Sequence, residues 1–245
     1  MSLRILLSTT NRILCQLRHD RRTLALLVVV PVLLLTLLYY MLDGNKALYD
    51  RIALIMLGLF PFTIMFLVTS ISMLRERTSG TLERLFTTPA GKLELLFGYG
   101  CAFGVAAAVQ ASWATAVAYW LLDLETLGSA WLVVLIAVIN ALLGVALGLF
   151  LSAFAKTEFQ AVQFMPLVVF PQFLLCGLFV PRSQMAAWLK AISDVMPLSY
   201  AVEALVEVGA HAEPTAVLWR DMMVLVGVVI TCLVLGAVTL RRRTP

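Results

Sequence analysis

The chain has 245 residues, of which 62% are hydrophobic and 13% are charged, and its formal net charge is +4. Ordinary soluble domains are roughly 45–50% apolar and about 25% charged, so this composition excludes an ordinary cytosolic protein. The apolar runs are therefore interpreted against a lipid bilayer, in windows of about twenty residues.

The first segment, residues 1–22, is predicted to be an amphipathic helix that lies in the inner membrane interface. Its apolar face would carry Leu3, Leu6, Leu7, Ile13, Leu14 and Leu17, and its polar face would carry most of Arg4, Ser8, Asn11, Arg12 and Arg18. The alternative is a solvated N-terminal tail.

Residues 23–245 are predicted to form one transmembrane domain with six helices, so the fold class is all-α integral membrane. Each apolar run is long enough to cross about 30 Å of hydrocarbon at a rise of about 1.5 Å per residue. The runs cover about residues 23–42, 52–74, 95–122, 130–154, 161–180 and 222–240. None of them contains Asp, Glu, Lys, Arg or His, so the chain lacks the intramembrane ionisable residues that proton-driven carriers usually have.

The distribution of basic residues predicts the orientation. Of the 18 Lys and Arg residues, thirteen flank the side that holds both termini and the connection between spans two and three. Basic residues are enriched on the cytoplasmic side of membrane proteins. We therefore expect a multi-pass protein of the cytoplasmic membrane with both termini inside, and we infer no nucleic-acid partner from the net charge.

The stretch MLRERTSGTLERLFTTPAGK, residues 73–92, is predicted to be a cytoplasmic handle between spans two and three. Arg75, Glu76 and Arg77 would mark the membrane exit, and Gly80 would allow a sharp turn. Thr81 would cap a short helix that ends before Pro89. On this helix Leu82, Leu85 and Phe86 form an apolar face, while Glu83 points elsewhere. The alternative is an interfacial loop whose apolar face only touches lipid.

Spans three and four each contain a pair of glycines with GxxxG spacing. The pairs are Gly100 with Gly104 and Gly144 with Gly148. Both pairs lie at a similar distance from the predicted cytoplasmic face, so we expect the two spans to pack closely as an antiparallel hairpin. The alternative is that small residues simply abound in these spans.

The polar and aromatic residues inside the spans are candidates for contacts between helices or with a bound compound. Gln110, Asn140, Gln163 and Gln172 are interpreted as interhelical hydrogen-bonding residues. The phenylalanines are Phe60, Phe62 and Phe66 in span two and Phe164, Phe170 and Phe173 in span five. Such a set would suit an apolar or amphiphilic compound, and the alternative for any one of them is core packing or lipid contact.

No residue is predicted to be catalytic, no metal site is predicted and no cofactor is expected on this chain. The four Cys and two His residues have no metal-ligand spacing. The Gly91-Lys92 pair lacks the upstream glycine of a phosphate-binding loop. Energy for uphill transport would therefore have to come from another polypeptide.

Two motifs resemble those of the permease subunits of type-2 ABC transporters. The first is RERTSGTLERLFTTP, residues 75–89, and the second is CGLFVPRSQMAAWLKAISDVMPLSYAVEAL, residues 176–205. In the second motif the matching residues are Gly177, Pro181, Trp188, Pro197, Tyr200, Ala204 and Leu205. As a whole, the sequence most resembles the daunorubicin-resistance-like drug-export branch of this family.

The resemblance implies an assembly and a mechanism. Two permease subunits would pair, each with a cytoplasmic ABC ATPase that binds ATP and Mg²⁺, and the helix within residues 80–86 would be the coupling helix. The segment between spans five and six would form two short re-entrant half-helices on the outer side. Spans two and five would line the dimer interface and the transport path.

The resulting hypothesis is the transmembrane subunit of an ATP-driven exporter for a hydrophobic drug, antibiotic or lipid-like compound. One alternative is a permease of the same family for a lipid-linked glycan. A second is a membrane-embedded enzyme, which would need a nucleophile or paired carboxylates that the spans do not supply.

Overall fold

The computed structural model describes residues 3–81 and 91–239, and within these ranges the chain is helical without β-strands. The helices are α1 (Leu3–His19), α2 (Arg21–Met41), α3 (Lys46–Thr78), α4 (Lys92–Trp120), α5 (Ala130–Ser152), α6 (Glu158–Leu175), α7 (Ala187–Val195), α8 (Pro197–Ala210) and α9 (Ala216–Thr239), with a 3₁₀ turn at Arg182–Gln184. Helices α2 to α6 and α9 are long and apolar enough to cross a membrane. The prediction of an all-helical protein with six spans is confirmed.

Several spanning helices extend beyond the apolar runs that predicted them, because polar side chains cap their first turns. Asn45, Thr157 and Thr215 each accept a hydrogen bond at 3.2 Å from a backbone N–H three residues later. As a consequence, Arg220 and Asp221 lie inside the first turns of α9 rather than before it.

The bundle has two ends, which are named here by the predicted orientation. The predicted cytoplasmic end holds α1, the end of α3 and the connection between α5 and α6. The predicted outer end holds the α2–α3 and α4–α5 connections together with α7 and α8. The span α3 crosses between the two ends and is the most buried of the six, whereas α2 and α6 are the least buried.

The closest helix contact joins α3 to α5, and the two helices run parallel. A Cβ atom on Gly144 would lie 2.2 Å from the Phe62 carbonyl oxygen, and one on Gly148 would lie 2.6 Å from the Phe66 carbonyl oxygen. One turn earlier, the Asn140 amide donates a hydrogen bond to the Gly58 carbonyl at 2.9 Å. The interhelical role predicted for Asn140 is confirmed.

The predicted glycine-mediated hairpin of spans three and four is therefore wrong for Gly144 and Gly148, which face α3. Of the other pair, Gly104 does face α5, because a Cβ there would lie 2.8 Å from Leu142 Cδ2. Gly100 faces α9 instead, with Leu233 at 3.6 Å from the position of such a Cβ. The spacing identified faces that favour close packing but assigned three of the four glycines to the wrong neighbour.

The two short helices predicted between spans five and six are present as α7 and α8. The helix α8 lies antiparallel to α3, since Leu205 packs over Gly58 and Gly209 packs over Leu54. Pro197 occupies the first turn of α8, where its missing N–H costs no hydrogen bond. The re-entrant position of these helices in the bilayer stays a prediction.

The N-terminal amphipathic helix is also present, as α1, and it packs on the start of α4. Thr9 is buried against Gly98, and the Thr10 hydroxyl donates to the Gly98 carbonyl at 3.2 Å. Leu3 and Leu7 remain exposed on another face. This exposed apolar face suits a membrane interface, and that location stays a prediction.

Candidate functional site

Three adjacent residues in the last turn of α3 contact three other helices. Successive residues of a helix project about 100° apart, so the sequence Arg75-Glu76-Arg77 points in three directions. Arg75 forms a bidentate ion pair with Glu158, the first residue of α6. The Nε–Oε1 distance is 2.7 Å and the Nη2–Oε2 distance is 3.0 Å. A carboxylate in the first turn of α6 also complements that helix dipole.

Glu76 joins α3 to the N-terminal helix. Its Oε1 atom lies 3.1 Å from Arg12 Nη1. The same guanidinium donates through Nη2 to the Tyr99 hydroxyl of α4 at 2.7 Å and lies over the Tyr99 ring. Arg12 therefore bonds to both helices that flank the predicted handle, α3 before it and α4 after it.

Arg77 completes the set by donating to the backbone carbonyl of Ser152, at the last turn of α5. The last carbonyls of a helix lack intrahelical donors and carry partial negative charge, so a guanidinium satisfies them well. Together the three residues tie the end of α3 to α1, α5 and α6. A displacement of this end of α3 is thus shared with those helices.

A cavity of about 330 Å³ opens beside this junction. It lies among α1, the start of α2, the end of α3 and the first half of α4, and Glu76 and Tyr99 belong to its wall. Asp20 caps α2 there, and hydrogen bonds from the hydroxyl and N–H of Thr23 lower the pKa of this carboxyl. The cavity wall is thus polar on the α3 side and partly apolar on the α1 side.

The turn predicted at Gly80 is present. Gly80 has φ +74, in the left-handed region that favours glycine, and it ends α3 after Ser79. The Thr81 hydroxyl lies 2.9 Å from the Ser79 hydroxyl. The remaining handle residues, Leu82, Glu83, Leu85, Phe86 and Pro89, lie outside the described ranges, so the coupling helix stays a prediction.

The predicted phenylalanines fall into two groups. Phe62 and Phe66 are fully buried in the core, and Phe164 is partly buried. Phe60, Phe170 and Phe173 instead line an apolar cavity of about 370 Å³ between α2, α3 and α6. The other residues of its wall are Leu26, Val30, Leu34, Thr63, Ile64, Leu67, Val68, Met165 and Val169. Among the lining residues that the structure describes, Thr63 is the one polar residue.

The residues of the second motif, between spans five and six, lie in turns and in contacts between the short helices. Gly177 has φ +98 and ends α6 before the predicted boundary at residue 180, and Pro181 precedes the 3₁₀ turn. Trp188 is 66% exposed on α7. The Tyr200 hydroxyl donates to the Asp194 carbonyl at 2.7 Å, which ties α8 to α7.

Sequence reasoning missed Arg12, Tyr99, Ser152 and Glu158 at the junction. Glu158 could have been identified from the sequence, because it is an acidic residue next to a short connection on the predicted cytoplasmic side. An acidic residue there is a natural ion-pair partner for Arg75. Arg12 was placed on the polar face of α1, yet it is half-buried against the bundle. Among the described residues, no group of three His, Cys, Asp or Glu side chains could hold a metal ion.

Comparisons with known proteins agree with this architecture. The profile of the ABC-2 type transporter family matches residues 4–208. The probable multidrug ABC transporter permease YbhR of Escherichia coli K12 is 26% identical over 156 residues, which is 64% of this chain and 42% of that protein. The linearmycin resistance permease protein LnrN of Bacillus subtilis is 24% identical over 155 residues, or 61% of this chain and 40% of that protein.

A eukaryotic relative, ABC transporter G family member 20 of Dictyostelium discoideum, is 27% identical over 163 residues, which is 66% of this chain and 22% of that protein. The chain thus spans less than half the length of each of these relatives. The family profile, by contrast, covers most of the chain, including α1 and the short helices α7 and α8. The chain therefore belongs to the ABC-2 type transporter family.

Proposed function

We propose that this chain exports a hydrophobic or amphiphilic compound across the cytoplasmic membrane. It would act as one half of a membrane dimer, and a cytoplasmic ABC ATPase would bind ATP and Mg²⁺ and drive the transport. Alternating access at the subunit interface would carry the cargo from the inner to the outer side.

The observation that carries the cargo class is the apolar cavity between α2, α3 and α6. Of the described residues in its wall, three are phenylalanines and Thr63 is the one polar residue. Such a wall binds a cargo by removing apolar surface from water and offers little to a sugar or an ion. The names of the permeases from E. coli and B. subtilis, which refer to multidrug transport and to linearmycin resistance, support the same class.

The dimer is supported by the two least buried spans, α2 and α6, which border that cavity. On α6, the Gln163 amide is exposed beside exposed apolar residues such as Leu167 and Phe170. An amide facing lipid costs free energy, whereas a neighbouring span can hydrogen-bond it. A second permease subunit against α6 would give Gln163 that partner and would close the cavity from lipid.

The proposal is tested with the chain and its ATPase purified together and reconstituted in liposomes. ATP hydrolysis and ATP-dependent movement are measured with amphiphilic dyes and antibiotics and, separately, with a lipid-linked oligosaccharide. We expect the amphiphilic compounds to stimulate hydrolysis and to move. Phe173→Ser should shift their half-stimulating concentration about tenfold, since a buried aromatic ring contributes on the order of 1.5–3 kcal/mol.

Phe159→Ser is the matched control, because Phe159 lies on the same helix, is 71% exposed and is outside the cavity. It should leave the half-stimulating concentration unchanged. Stimulation by the oligosaccharide alone would overturn the proposed cargo class and favour the glycan alternative. Equal shifts in the two phenylalanine variants would show that the cavity is not the cargo site.

A further inference from the structure

Another open cavity, of about 250 Å³, lies at the predicted outer end between the α2–α3 connection and the end of α4. We call it the tyrosine cavity, and the residues of its wall are Tyr39, Leu42, Asp43, Gly44, Lys46, Tyr49, Leu122 and Asp123. None of the described residues in this wall belongs to α6, and none lines the apolar cavity proposed to hold the cargo. The tyrosine cavity is therefore a separate site, which the proposed export does not use.

Tyr49 brings a buried hydroxyl to this cavity that is free to form a hydrogen bond. The residue is only 2% exposed, and its hydroxyl has no hydrogen-bond partner in the part of the chain that the structure describes. The Tyr49 ring packs edge-to-face with the Tyr39 ring, with centroids 5.2 Å apart, so its direction is restricted. A buried hydroxyl without a partner costs free energy, so we expect a molecule in the cavity to bond to it.

The charged residues of the tyrosine cavity favour a cation. Asp43 and Asp123 lie in its wall, and Lys46 is the one basic residue among its described lining residues. The Lys46 ammonium is already shared, since it lies 3.2 Å from Asp123 Oδ2 and also contacts Glu125. The Asp43 carboxylate has no ion-pair or hydrogen-bond partner within the described part of the chain. Three carboxylates beside one lysine leave an excess of negative charge, and aromatic rings add to the attraction for an ammonium.

The surroundings of the tyrosine cavity are those of a membrane interface. Tyr40 and Trp120, at the ends of α2 and α4, are 69% and 85% exposed. The residues that follow them, Met41 and Leu121, are also exposed. Tryptophan and tyrosine are enriched where hydrocarbon meets water. The cavity therefore lies at the depth of the lipid head groups, and a lipid is the molecule that reaches it most directly.

We propose that the tyrosine cavity binds the head group of an aminophospholipid, such as phosphatidylethanolamine, through its primary ammonium. The ammonium would donate hydrogen bonds to the Asp43 carboxylate and to the Tyr49 hydroxyl oxygen. Lys46 has three N–H donors and bonds to two carboxylates, so one donor remains for the lipid phosphate. A bound lipid would thus hold the α2–α3 connection against the end of α4.

The test measures thermal unfolding of the purified full chain in detergent, after removal of residual lipid, while defined lipids are added. The lipids are phosphatidylethanolamine, phosphatidylcholine, whose quaternary ammonium has no N–H, and phosphatidylglycerol, which has no cation. Soluble phosphoethanolamine is added separately as the head group without its acyl chains. We expect phosphatidylethanolamine to have a half-stabilising concentration about tenfold lower than the other two lipids, since hydrogen bonds to charged groups are strong.

Two variants assign the effect to the cavity. Asp43→Asn removes the charged acceptor, so it should raise the half-stabilising concentration of phosphatidylethanolamine about tenfold and leave those of the other lipids unchanged. Tyr49→Phe removes the unpartnered hydroxyl, so it should raise the unfolding temperature of the lipid-free protein slightly. The same variant should weaken the response to phosphatidylethanolamine, and a residue with only a structural role would not produce these two opposite changes.

Glu213→Gln and Tyr40→Phe are the matched controls. Glu213 is exposed at the same predicted end, Tyr40 is exposed on α2, and neither lines the tyrosine cavity. Both variants should leave the half-stabilising concentration of every lipid unchanged.

Equal stabilisation by the three lipids would overturn the ammonium site. An unchanged response to phosphatidylethanolamine in both Asp43→Asn and Tyr49→Phe would overturn its location, and water would then be the partner of the Tyr49 hydroxyl. Stabilisation by soluble phosphoethanolamine at the same concentration as by the lipid would overturn the lipid in favour of a free amine. The measurement needs neither cargo nor ATP, so it is independent of the proposed export function.

Discussion

Two arginines at the predicted cytoplasmic end make similar ion pairs in different surroundings. Arg75 and its partner Glu158 are 62% and 52% exposed, whereas Arg12 and its partner Glu76 are 29% and 12% exposed. Solvent screens the first pair, which should contribute less than about 1 kcal/mol to stability. Loss of one partner from the second pair leaves a poorly hydrated charge behind.

We therefore expect Arg12→Gln to lower the unfolding temperature of the purified protein by several degrees and Arg75→Gln to lower it little. The physical reason is the cost of leaving Glu76 and Tyr99 without their shared donor, about 1–3 kcal/mol. Thermal unfolding in one detergent at neutral pH measures the difference. Adding Glu76→Gln to Arg12→Gln should recover part of the loss, and equal shifts for Arg12→Gln and Arg75→Gln would contradict this account.

The position of Arg12 could not be predicted from the helical pattern alone. A helical wheel separates polar from apolar faces, but it cannot distinguish a face turned to water from one turned to a buried carboxylate and a tyrosine. The glycine turn at Gly80 was predictable, because a left-handed residue at a helix end is a local property of the chain. The partners of Glu76 depend on the tertiary packing of α1, which no local pattern contains.

At the scale of elements, the contact between α3 and α5 depends on two positions without a side chain. Gly148→Ala should destabilise the protein strongly, since its Cβ would lie 2.2 Å from Thr69 Oγ1 and 2.6 Å from the Phe66 carbonyl oxygen. Backbone atoms cannot move aside as a flexible side chain can, so the two helices would have to separate. Reduced yield of folded protein and a lower unfolding temperature are the expected results.

Gly100→Ala is the matched control from the other glycine pair. Its Cβ would meet Leu233 at 3.6 Å, an ordinary van der Waals distance, and alanine also favours the helix. Its stability should equal or slightly exceed that of the parent. A loss as large as that of Gly148→Ala would contradict the assignment of the tight glycine packing to the contact between α3 and α5.

Glycine spacing identified faces that favour close packing but could not identify the helix against each face. GxxxG spacing places two small residues on one stripe, and basic flanks give their depth. Any neighbouring span at that depth satisfies both conditions. The glycines of α5 pack against α3 because other residues also join these two helices, such as Asn140, which donates a hydrogen bond to the Gly58 carbonyl. A single sequence does not show that these residues are partners.

At the scale of the whole molecule, the six spans were predictable because a bilayer forces long, internally hydrogen-bonded helices. Four of the five tryptophans, Trp120, Trp131, Trp188 and Trp219, are exposed near one end of the bundle. Tryptophan is enriched at membrane–water interfaces, so these residues indicate where one interface lies. They do not indicate which side is the cytoplasm, and that assignment depends on the basic residues.

The orientation is tested with single-cysteine reporters in a cysteine-free background in intact cells. Asp43→Cys and Glu213→Cys at the predicted outer end should react with an impermeant maleimide. Ser79→Cys and Lys156→Cys at the opposite end should react only after permeabilisation, because the excess of basic residues holds that end inside. The reverse pattern would place the handle outside and remove the basis for an ATPase contact there.

The three-way junction of Arg75, Glu76 and Arg77 has a consequence for exchanging parts between related permeases. The motif acts through residues far away in the chain, namely Arg12, Ser152 and Glu158. A chimera that receives residues 73–92 alone would keep the sequence of the handle but lose the partner residues that hold it in place. The unit of exchange is therefore the handle together with the three helix segments that anchor it, a discontinuous module that an alignment of the loop would not reveal.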